Sequence, residues 1–94
     1  MVYGIYLDTE HYCDIIDYPN QTEEQVKELL AVMAEDTIHA YIEDGYVCIV
    51  YAIAKDGGWA NLEFQKPDGS DQFYISLELA SKKNKYDENW ELVS

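Results

Sequence analysis

Two histidines and two cysteines carry the most versatile chemistry in this chain of 94 residues, and their spacing limits what they can do. His11 and Cys13 stand two apart, so on an extended segment both point the same way, while His39 and Cys48 lie far along the chain. Structural zinc uses paired ligands in Cys-x2-4-Cys or His-x3-5-His knuckles, and neither occurs here. A cysteine nucleophile needs a positive surround to hold its thiolate. Cys13 instead has Asp14 and Asp17 beside it, and Cys48 sits in an uncharged run. No metal, cofactor or catalytic residue is expected from these four.

Carboxylates come in pairs throughout: Asp14 with Asp17, Glu23 with Glu24, Glu35 with Asp36, Glu43 with Asp44. Their abundance makes any one pair uninformative, and glycosidase chemistry would also need a cleft that so short a chain can hardly enclose. Asp68-Gly69-Ser70-Asp71 offers oxygen ligands but lacks the rest of a calcium-binding loop, so it reads as a turn. Asp56-Gly57-Gly58 is too short and acidic to cradle phosphate. No enzyme is expected.

The charge balance is the strongest compositional signal. Nineteen Asp and Glu stand against six Lys and no Arg, a formal net charge of −13. That exceeds what solubility requires and repels nucleic acid and anionic membrane surfaces alike. The excess is lopsided: residues 1 to 54 hold eleven acids and one Lys, residues 55 to 94 eight acids and five Lys. The start, Met1-Val2-Tyr3-Gly4-Ile5, has no basic region and meets Asp8 early, so no export signal is expected. No apolar run approaches the roughly 20 residues of a membrane span. A cytoplasmic protein with reduced thiols follows as the expectation.

The elements that must position these groups are read from periodicity. Val2 to Asp8 alternates as a strand with Tyr3, Ile5 and Leu7 on one face and Tyr6 and Asp8 on the other, and His11 to Asp17 reads as a second strand. Thr22 with Gln25 has the form of a capping box, and Val26, Leu29, Leu30 and Met33 follow at helical spacing to about Asp36. Glu24, Glu28 and Glu35 fall within roughly 40° of one another on the opposite side of that helix. Thr37 to Asp44 alternates, with Ile38, Ala40 and Ile42 inward and His39, Tyr41 and Glu43 outward, and Asp44-Gly45 reads as a hairpin turn. Tyr46 to Ala54 has no charge and is fenced by turn residues, which reads as the central strand, buried on both faces. Trp59 to Gln65 and Gln72 to Leu79 complete a meander; the chain then turns polar from Ser81 to Lys85, and Tyr86 to Ser94 forms a short edge strand or a loose tail anchored by Trp90, with 81 to 94 as a loose C-terminal segment in the second case.

The expected fold is one α+β domain over residues 1 to 94: a single antiparallel sheet of about five or six strands, in β-β-α-β-β-β-β order, with one helix on one face. The other sheet face would then carry Tyr41, Glu43, Trp59, Glu63, Tyr74 and Glu78.

In size, charge and build, though in no residue pattern, the chain resembles the small acidic phage proteins that block host defence nucleases, anti-CRISPR proteins among them, and bacterial immunity proteins that cap basic nuclease toxins. The resemblance implies a stoichiometric inhibitor that occupies the nucleic-acid groove of a basic partner, in the host cytoplasm if the gene is a phage's. Carboxylates two apart on a strand or four apart on a helix are spaced much like successive phosphates. The expected phosphate stand-ins are Asp8, Asp14, Asp17, Glu24, Glu28, Glu35, Glu43 and Asp44, and the expected aromatic anchors Tyr41, Trp59 and Tyr74. A toxin immunity protein, an interaction domain with no nucleic-acid role, and a homodimer formed through the outer sheet face are the alternatives.

Overall fold

A computed structural model describes residues 1–93. Its elements are β1 (Val2–Thr9), β2 (Cys13–Tyr18), α1 (Glu23–Glu43), β3 (Val47–Ile53), β4 (Trp59–Gln65), β5 (Gln72–Lys82) and β6 (Glu91–Leu92). The strands form one antiparallel sheet in the order β2-β1-β5-β4-β3, with β6 paired to the far end of β5. This is the expected α+β class, with one helix packed on one face of the sheet.

The helix begins where the capping box places it. The Gln25 amide donates to Thr22 Oγ1 at 3.2 Å, and the Thr22 amide donates to Gln25 Oε1 at 2.8 Å. Val26, Leu30 and Ala34 are fully buried against Ile5, Leu62, Phe64, Leu77 and Leu79, which the alternation of β1, β4 and β5 turns to the same side.

Two expectations about the middle of the chain are corrected. Thr37–Asp44 is not a strand, because α1 continues to Glu43. Ile38 and Tyr41 prolong the stripe set by Leu30 and Ala34 at helical spacing, whereas Ile42, expected inward, is 51% exposed. Asp44-Gly45 is therefore a helix end and not a hairpin turn: the Asp44 amide donates to the carbonyls of Ala40 and Tyr41, and Gly45 has φ +93°.

The uncharged run 46 to 54 is likewise not the central strand. That place belongs to β5, whose register matches β1 on one side and β4 on the other. β3 is an edge, paired among the described residues only with β4, and a bulge at Ile49 interrupts that pairing between Cys48 and Val50.

The tail is anchored in part as expected. Ala80 pairs with Leu92 and Ser81 with Glu91, and the Trp90 ring lies over Gly4 on the sheet face away from the helix. A Cβ at Gly4 would stand 2.7 Å from the Ile16 carbonyl oxygen and 2.9 Å from Trp90 Cη2, so glycine is what lets the ring come down. Ser94, at the end of the expected tail, lies outside the described residues.

Candidate functional site

The acids and aromatics expected to bind a partner fall into two groups on opposite sides of the sheet. On the helix side, Glu24, Glu28 and Glu35 are exposed along α1, joined by exposed Asp36, Glu43 and Asp44. The helix has 21 residues; Glu24, Glu28 and Glu35 follow one line over about 16 Å of it, and Asp36 and Glu43 stand roughly a quarter-turn further round. Asp14 is exposed on the same side, since it pairs with core-packed Leu7.

Lys27 is the one lysine of α1, and it meets the ridge at its first carboxylate, Glu24. Its stem lies against Gly57, and its ammonium reaches Glu23 at 3.6 Å and Glu24 at 3.5 Å. Partial burial pulls its pKa down, but Glu24, Glu23 and Asp56 together carry it above the ordinary lysine value. Glu28, Glu35, Asp36, Glu43 and Asp44 are left with no ion-pair partner among the described residues.

The opposite sheet face holds the second group. Pairings across the strands set Cys13, Asp8, Ser76 and Asn61 in one row, Ile15, Tyr6, Glu78 and Trp59 in the next, and Tyr74 beside Glu63. Cys13 Sγ donates to Asp8 Oδ1 at 3.1 Å, and Ser76 Oγ donates to Asn61 Oδ1 at 2.9 Å. The Cys13 thiol raises the Tyr6 phenol to about 12, with partial burial and the charges of Asp8 and Glu78 adding to the shift. Tyr74 is also raised, first by the Asp8 charge and then by burial. Asp17, opposite Gly4, shares this face.

Four of the six residues expected on this face are there: Trp59, Glu63, Tyr74 and Glu78. Tyr41 and Glu43 are not, because both belong to α1. Tyr41 packs into a ring cluster with Phe64 and Phe73, each at 4.9 Å between centroids, and with Tyr46 at 5.6 Å. It is a core-supporting residue and not an anchor on the outer face, although part of it lines a shallow groove beside Met33 and Asp36. Tyr6 and Cys13 were not picked out as site residues, yet the alternation of β1 already set Tyr6 beside Asp8.

The cysteines are at opposite margins of the sheet, Cys13 on β2 and Cys48 on β3, and both are free. Cys13 donates to a carboxylate and has acids for neighbours, the reverse of the surround that activates a thiol. In the Asp68 turn, the hydroxyl and amide of Ser70 donate to the carboxylate and hold its pKa below the ordinary value, so its oxygens serve the turn itself. No helix is long and apolar enough to cross a membrane among the described residues. Comparison of the chain with family models, with curated proteins and with solved structures found no match.

Proposed function

We propose that this protein is a non-enzymatic inhibitor that binds the cationic surface with which a partner, such as a nuclease, holds nucleic acid. The helix ridge is the binding element in this reading. One observation carries it: the single lysine of α1 is held at the helix start by Glu23 and Glu24, and Glu28, Glu35, Asp36, Glu43 and Asp44 are exposed with no ion-pair partner among the described residues.

Such an arrangement costs the fold some self-repulsion and gains a negative field on one side, which speeds encounter with a basic groove. Glu24 and Glu28 stand about 6 Å apart, near the separation of successive phosphates on one strand. Asp14 extends the negative surface at the β2 margin. Asp8, Asp17, Trp59 and Tyr74 face the other way and would not meet the same groove. The partner surface is thus that of α1, and the outer sheet face is left for another contact.

The test is capture from lysate at low salt by the wild type and by a Glu24→Gln, Glu28→Gln, Glu35→Gln variant. A protein retained by the first, lost by the second, eluted by a salt step and displaced by double-stranded DNA supports the proposal. Capture that ignores both the substitutions and the DNA removes it.

A further inference from the structure

The two edges of the sheet are built differently. β2 carries Asp14 and Asp17 in six residues, and charge at an edge discourages another strand from pairing there. β3 has no charge, no proline and no lysine in seven residues, yet it stands at the margin with both faces partly open. Val47 is 48% exposed, Ile49 43%, Val50 37%, Tyr51 46% and Ile53 43%. Its bulge at Ile49 is the one feature of the strand that resists pairing.

We infer that the β3 edge is the contact between two copies of this chain, joined antiparallel about a two-fold axis at Ile49 and Val50. This axis places the register symmetrically about the bulge. Val47 and Ala52 lie on the outer face, opposite Gln65 and Asn61, while Cys48 and Tyr51 lie on the helix face, opposite Phe64 and Leu62. A two-fold axis perpendicular to the sheet keeps each face on its own side. Val47 of one copy then meets Ala52 of the other, Cys48 meets Tyr51, and the two bulges meet at the axis.

The same register sets the turn that follows β3 in one copy, which holds Lys55, at the end of the strand where α1 of the other copy finishes with Asp44. Lys55 is suited to this: among the described residues it makes no ion pair, whereas Lys27 is bound to Glu23 and Glu24, and Lys66, Lys82 and Lys85 lie over aromatic rings. Lys55 is followed by Asp56, and Asp44 is preceded by Glu43, so in the reversed arrangement the cation of each copy faces the acidic end of the other. The net charge of −13 on each copy opposes the contact at long range, so salt should strengthen it. Salt should weaken the binding of a basic partner, and the sign separates the two.

The experiment is sedimentation equilibrium of the full chain under reductant, over a range of protein concentrations, from low salt to about 1 M NaCl, where the screening length is about 3 Å. The expected result is a mass that doubles with concentration, at lower concentration as salt rises. Val50→Lys should stay single while keeping the wild-type circular dichroism and melting curve. At moderate salt Lys55→Glu should weaken the pair roughly two- to tenfold, two ion pairs being lost by symmetry, and adding Asp44→Lys should restore it. A chain that stays single at every salt and concentration overturns the inference, as does a dimer that Val50→Lys leaves intact. Protection of β3 amides only by a strand of some other protein overturns the second copy as its occupant.

Discussion

The Tyr46 phenol donates to Asp71 Oδ2 at 2.7 Å, a bond across 25 residues that ties the entry to β3 to the turn between β4 and β5. Lys66 stands 4.8 Å from the centre of the same ring. Edge strand and central hairpin are thereby fastened at one corner, and the corner has its own pH dependence.

The Asp71 bond, with partial burial and nearby acids, raises the Tyr46 phenol to about 12 from an ordinary value of 10.0. A group raised on folding adds stability that is full below its unfolded value and is lost as pH climbs to its folded one. Stability measured by urea unfolding should thus fall between pH 10 and 12. Tyr46→Phe should reduce that slope without abolishing it, because Tyr6 is raised to the same value. An unchanged slope in the variant would break the link to Asp71.

Tyr41 and Ile42 distinguish a helix from a strand over these residues. Tyr41→Ala opens the cluster with Phe64 and Phe73 and should cost about 2–3 kcal/mol in urea unfolding. Ile42→Ser, at an exposed position, should stay within about 0.5 kcal/mol. The reverse ranking is what a strand with Ile42 inward would give.

Gly4→Ala should destabilise by about 1–3 kcal/mol, since the new methyl meets the Ile16 carbonyl and the Trp90 ring together. Trp90→Ala in the same chain should recover only part of the loss, because the carbonyl belongs to the backbone of β2 and cannot swing aside. Full recovery in the double variant would mean that the ring alone sets the constraint.

Glu24 and Glu28 are like charges one helical turn apart on α1. Glu28→Gln should raise stability by about 0.2–0.5 kcal/mol at low ionic strength, and the gain should vanish near 1 M NaCl. A loss of stability instead would mean that Glu28 has a favourable partner in the fold.

The sequence carried most of the layer architecture in its strict patterns. The inward residues of β4 and β5, Leu62, Phe64, Ile75, Leu77 and Leu79, alternate without a break and are all buried. Thr22 and Gln25 announce the helix start at the one spacing at which both bonds can close. The errors come where local pattern is silent about neighbours. Ile38, Ala40 and Ile42 fit a period of two, but Leu30, Ala34, Ile38 and Tyr41 fit a helix over a longer span, and the longer span prevails. In Val47 to Ile53 apolarity suggests depth, although composition cannot say how many strands flank a strand. The surface suffered from the same silence: Glu24, Glu28 and Glu35 came out together because one helix holds them, whereas Asp8 and Asp14 are separated by the sheet that neither could reveal.

The aspartates of β2 have a consequence for how far such a sheet can extend. If β3 takes up a copy of itself, each outer margin of the joined sheet is a β2 strand studded with carboxylates, and nothing uncharged is left to template the next addition. Growth stops at two chains and does not run on into a fibre. A double substitution, Asp14→Val with Asp17→Val, would remove that stop and turn a closed pair into a polymerising species.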